Sequence, residues 1–114
     1  MDIIKQAAAA LHEIAAEGIP VQQGWYDESM KQAHVTLLNM GTDPAGHSDD
    51  ETDVVTGEIQ VTIFAPADEV ALAERIRKLM VAGGFEWTAG GQDDTLEDSG
   101  IFMKPQRFSL TKEE

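Results

Sequence analysis

Apolar and polar positions alternate along residues 58–64, where Ile59, Val61 and Ile63 interleave with Glu58, Gln60 and Thr62. That period of two predicts a strand with one buried face. Pro66 ends it, because proline has no N–H for a ladder and its fixed φ suits a first helical turn. From Asp68 the period becomes helical: Leu72, Ile76, Leu79 and Met80 share a stripe, while Glu69, Glu74, Arg77 and Lys78 lie mostly off it. Asp68 and Glu69 fall near the positive end of the helix dipole, and Arg75, Arg77 and Lys78 towards the negative end. Gly83 and Gly84 supply a left-handed stop. The other elements are placed around this strand–turn–helix, residues 57–85.

Upstream, residues 3–17 predict a helix capped by Asp2 and closed by Gly18, with Ile4, Ala7, Ala8, Leu11, Ile14 and Ala15 as its stripe. The alanines at 7–10 favour helix and permit close approach to another element. Ile19-Pro20-Val21 opens a short edge strand reaching Gly24, since proline tolerates edges. Trp25 and Tyr26 read as a lid over the core rather than a ligand platform. Residues 34–40 (HVTLLNM) predict a strand. Residues 41–56, dense in Gly, Pro, Ser and Asp, predict a long mobile loop made strongly negative by Asp49, Asp50, Glu51 and Asp53.

Downstream, residues 85–88 predict a strand with Phe85 and Trp87 on one face. Residues 89–100 predict a second mobile acidic loop, with Asp93, Asp94, Glu97 and Asp98. Residues 101–110 return as the last strand, in which Pro105 argues for an edge or a bulge, and 111–114 predict a frayed tail. The sum is a single α+β domain over residues 1–114: a mostly antiparallel sheet of about five strands with two helices packed on one face.

Charge changes this picture most. Twenty-one acidic residues against eight basic ones give the 114-residue chain a formal charge of −13. Such a surface repels phosphates, which argues against binding DNA or RNA. Between Lys31 and Arg75 there is no Lys or Arg, yet nine Asp or Glu occur. The plain reading of this charge is solubility; the sharper one is a face that avoids adhering to DNA, or mimics it. The chain has no cysteine, which excludes disulfides and cysteine chemistry and fits a reducing cytoplasm. No apolar run nears the ~20 residues of a membrane span, and the N-terminus lacks the basic-then-apolar order of a secretion signal, so a soluble, non-secreted protein without membrane partners is expected.

Catalytic and metal motifs are weak. Residues 94–100 fail the calcium-loop pattern at Leu96 and carry their glycine one position late, and 49–53 have no glycine. His12, His34 and His47 form no paired metal motif, and His47-Ser48-Asp49 lacks a nucleophile elbow. No phosphate-cradling glycine loop follows a strand. No catalytic residue, cofactor or metal is therefore expected, and an enzyme is not.

The order of segments carries a further signal. A first helix ends in GIPV; a strand reads EIQVTIF; a helix of the form D-x-x-x-L-A-x-x-I-R-x-L-M ends in GGF; and an acidic loop leads into the final strand from Glu97 to Phe108. This order, from about Ile14 to Phe108, resembles the tail-terminator and tail-completion (head–tail joining) proteins of long-tailed bacteriophages and prophages. The departures are the long acidic stretch 41–56 and the low basic content.

The resemblance implies a non-enzymatic virion subunit, assembled in the bacterial cytoplasm. It would self-associate into a ring, commonly a hexamer, that caps the tail tube and meets tail-tube and head-connector proteins. DNA would pass through the ring without specific binding. On this expectation Asp49, Asp50, Glu51 and Asp53 face the lumen or a partner, with Asp93, Asp94, Glu97 and Asp98 as a second such loop. Arg75, Arg77 and Lys78 are candidates for the subunit boundary, or else complement the helix dipole. The competing readings are an acidic prophage binding module, such as a DNA mimic or enzyme inhibitor, and a small hydrolase or ligand-binding domain.

Overall fold

The computed structural model describes residues 2–30, 32–44, 54–90, 93–96 and 100–113. Among these, the chain forms α1 (Ile3–Ala10), α2 (His12–Ala16), β1 (Val21–Gln23), β2 (His34–Pro44), β3 (Val54–Ala65), α3 (Val70–Ala82), β4 (Glu86–Gly90), β5 (Asp94–Leu96) and β6 (Ile101–Glu113). The strands make one six-stranded sheet in the order β1-β2-β3-β6-β4, with β5 also beside β6. Every pairing is antiparallel except that of β1 with β2. The fold is thus α+β with a mixed sheet, carrying one strand and one helix more than the sequence pattern predicts.

The alternation along β3 divides the sheet into two faces. Ile59, Val61 and Ile63 point to the helices and meet Val35 and Leu37 of β2 and Phe108 of β6 in one core with Ile3, Ala7, Leu11, Ile14, Leu72, Ile76 and Met80. All three helices therefore cover the same face. The other face has a smaller apolar layer: Phe64 and His34 are fully buried beneath Trp25 and Tyr26. Trp25 meets the Phe64 ring edge-on at 5.2 Å, and the rings of His34, Tyr26 and Phe64 form a triangle, with His34 5.7 Å from Tyr26 and 5.5 Å from Phe64 and those two 5.3 Å apart. The aromatic pair is a lid, as its position beside a turn suggested, but over the face the helices leave open.

The expected first helix is broken at Leu11, whose φ of −99° and ψ of 14° leave the α region. Its buried stripe is Ile3, Ala7, Leu11 and Ile14, while Ala8 and Ala15 are exposed. The bend lets Leu11 and Ile14 both reach the core. Asp2 caps α1 by accepting from the Lys5 N–H at 3.0 Å. α3 starts at Val70, two residues later than expected, without a side-chain cap; Asp68 is turned away to Lys104 instead.

Five stretches expected to be loop or frayed tail are strand. β2 runs on through 41–44, β3 begins at Val54, β4 and β5 take up 89–90 and 94–96, and β6 continues through 111–113. The reason is shared. β4 is exposed at every position, and beyond Gly57 and Leu110 the paired residues whose burial is described, 54–56 and 111–112, lie outside the core. A ladder held by backbone hydrogen bonds with little burial on either face needs no alternation of apolar residues, so hydropathy does not reveal it. These rows build a three-stranded arm on a molecule measuring 52 × 28 × 22 Å.

Pro105 lies on β6, an interior strand, which corrects the edge expected from its lack of an N–H. It pairs with Thr62 on one side. On the other, β4 ends opposite Gln106 and β5 begins opposite Met103. Pro105 falls in the gap between them, where there is no ladder bond for it to break.

Candidate interaction surfaces

The three cations of α3 proposed from sequence have different fates. Arg75 faces α2: its Nη1 donates to Glu17 Oε1 at 2.8 Å, its Nη2 donates to Glu17 Oε2, and Glu13 stands 3.6 Å away. The bidentate contact holds the Glu17 carboxyl below its ordinary range and pushes the Arg75 guanidinium up. Arg75 thus ties α3 to the end of α2 within one subunit. Arg77 lies over the Trp87 ring, 5.2 Å from its centroid, a cation–π contact between α3 and β4. Lys78 is exposed and, among the described residues, has no ion pair. None of the three sits in the last turn of α3, so complementing the helix dipole is not their main role.

Of the second acidic loop, Asp93 and Asp94 border a cleft of about 350 Å³ together with Asp68, Glu69, Phe102 and Lys104. Lys104 was not singled out from sequence. It shares the helix-facing side of β6 with Gln106, Phe108 and Leu110, and that parity is the signal that marks it. Its side chain is 15% exposed and bonds to Asp93, with Asp68 at 3.1 Å. Asp93 first, then Asp68, raises the lysine's pKa. Two carboxylates therefore converge, but on a lysine that neutralises them. Gln106, the next residue on that side, donates to the Ala73 carbonyl at 2.9 Å and fastens β6 to the first turn of α3.

Asp49, Asp50, Glu51 and Asp53, and with them Glu97 and Asp98, lie outside the described residues, as does His47. His12 is exposed on α2, whereas His34 is buried, its Nδ1–H donating to the Gln32 carbonyl at 3.0 Å. His34 Nε2 and the neighbouring Thr36 Oγ1 have no partner. Asp27 Oδ1 accepts from the Ser29 hydroxyl and N–H at 2.6 and 2.9 Å, which lowers its pKa and pins the turn after the lid. Among the described residues no three His, Asp or Glu side chains are grouped to hold a metal ion, and no helix is long and apolar enough to cross a membrane.

The exposed large apolar residues gather on one flank. Val70 and Val81 stand on the solvent side of α3, Trp87 on β4 and Phe102 on β6; Trp25 and Met40 are elsewhere. A flank combining Trp, Arg and aliphatic groups has the composition of a protein-binding surface.

No protein-family model matches the chain, and no curated protein matches its sequence. Its fold is similar to that of a chain in a solved structure of the virion of a native gene transfer agent (GTA) particle. The TM-score is 0.64, with 15% sequence identity, over 97% of this chain and 92% of that one.

Proposed function

We propose that this chain is a structural, non-enzymatic subunit of a phage-like virion, and that it forms a ring at the end of the tail tube as a tail terminator or head–tail joining protein. The observation that carries the reading is the shared fold with a GTA virion chain, which spans nearly the whole of both chains. The sequence resemblance to tail-completion proteins supports it independently. So do the surfaces. Arg75, Asp68 and Asp93 are engaged within the subunit, whereas Trp87 and Phe102 stay exposed and available to other subunits. A charge of −13 suits a ring through which DNA must slide without adhering.

The DNA-mimic reading needs an ordered, unneutralised array of carboxylates. Among the described carboxylates Glu13, Glu17, Asp68 and Asp93 face Arg75 or Lys104 and are taken out of such an array; the fold shared with a virion chain is what favours the structural reading. The test is deletion of the gene in the host that encodes it, followed by electron microscopy of induced particles. Tails of irregular length, or tails and heads left unjoined, are expected, with recovery on complementation. Normal particles from the deletion strain would sink the proposal.

A further inference from the structure

We infer that the solvent face of α3 is a self-complementary docking surface for a second copy of this chain, packed antiparallel across a two-fold axis. The inference concerns the free protein and does not depend on the virion reading. Val70, Glu74, Lys78 and Val81 share the side of the helix away from the buried Leu72, Ile76 and Met80, in a sector of about 100° that has Arg77 at its margin. Val70 and Val81 are 54% and 51% exposed, unusual for branched aliphatic residues at the centre of a solvent face.

The order of chemistry along this sector is what selects the occupant. From the N-terminus it runs valine, acid, two bases, valine: Val70, Glu74, Arg77, Lys78 and Val81. The pair Val70 and Val81 and the pair Glu74 and Lys78 are both centred at Arg75 and Ile76. A second α3 turned end for end about that centre sets each Val70 against the partner copy's Val81, and each Glu74 against the partner copy's Lys78 and Arg77. Both ion pairs then form twice, as a two-fold interface requires, and the two helix dipoles run antiparallel.

The side chains are available for this. Among the described residues neither Glu74 nor Lys78 makes an intrachain ion pair, Arg75 is turned away to Glu17, and Arg77 is steadied on Trp87 at the margin of the face. A parallel arrangement would set like charges together, so the charge order also fixes the direction of packing.

The test is sedimentation of the purified full chain over a range of concentrations, with circular dichroism melts to check each variant's folding. The wild-type chain should sediment as a dimer. Glu74→Lys and Lys78→Glu should each weaken dimerisation by about tenfold or more, since each sets like charges across the axis. An equimolar mixture of the two variants should recover much of the dimer, because both cross-axis pairs between positions 74 and 78 are again of opposite sign, with one like-charge contact left at the unchanged Arg77. That recovery separates a contact between chains from the i,i+4 pair within one helix, which a mixture cannot restore. A monomer at all concentrations, an assembly indifferent to both substitutions, or a mixture that fails to recover would each overturn the inference. A larger assembly insensitive to the charge changes would overturn it while leaving the ring reading intact; a charge-sensitive dimer from a gene whose deletion leaves particles normal would do the reverse.

Discussion

Ala10 and Gly83 meet where the end of α1 passes the end of α3: a Cβ added to Gly83 would fall 2.8 Å from the Ala10 Cβ. Gly83 has an ordinary φ of −82°, so crowding and not backbone conformation selects glycine there. Gly83→Ala should therefore destabilise the fold by about 1–3 kcal/mol through overpacking. Ala10→Gly removes the opposing methyl, and the double variant should lose less than the sum of the singles. Denaturant titration of the four proteins gives the coupling.

Thr36 offers the opposite sign. Its hydroxyl is fully buried on the lid-covered face without a hydrogen-bond partner. Replacing an unsatisfied buried hydroxyl by a methyl of the same shape removes a desolvation cost, so Thr36→Val should be neutral or stabilise by up to about 1 kcal/mol. A clear loss in thermal denaturation would mean that an internal water serves the hydroxyl.

Gln106→Ala should cost about 1–2 kcal/mol, because the Ala73 carbonyl loses its side-chain donor in a part-buried place. The loss should come with faster hydrogen exchange in the N-terminal half of α3, which separates this bond from a general loosening of the sheet.

The Arg75–Glu17 contact predicts a pH effect of defined sign. The guanidinium lowers the Glu17 pKa from its ordinary 4.5. The pair's contribution is therefore complete above that ordinary value and is lost as the pH falls through the lower folded-state value. Arg75→Met should lower the melting temperature slightly at neutral pH and leave it unchanged once the carboxylate is protonated. Both partners are solvent-exposed, which keeps the effect small. Melting curves across the acid range, compared with Glu17→Gln, test it.

The parts of the fold legible in the sequence are those where burial dictates residue type. Ile59, Val61 and Ile63 announced β3, and Leu72, Ile76 and Met80 announced α3, because each had one face in the core. Ala89 and Thr111 were hidden because they are exposed positions held in the sheet by backbone pairing, and the glycines and aspartates near Ala89 read as turn chemistry. The same distinction governs the surfaces. Arg75, Arg77 and Lys78 are visible as charges on one helix, but only the packing of α2 and β4 decides which of them stays outside. Lys104 looked like strand decoration until its register with Ile63 set it beside Asp68.

The gap at Pro105 divides the labour along β6. One long partner, β3, runs past it without a break, while the opposite edge is shared by two short strands that never touch across the proline. Peeling β5 away would thus stop at Pro105, because no hydrogen bond on that edge spans it to carry the disturbance into β4. The cleft around Lys104 can open or be remodelled by a neighbour, while the Trp87 end of the same edge, and the flank it supports, stays zipped. One sheet edge holds two separately operable seams, and a side chain with no N–H is the stop between them.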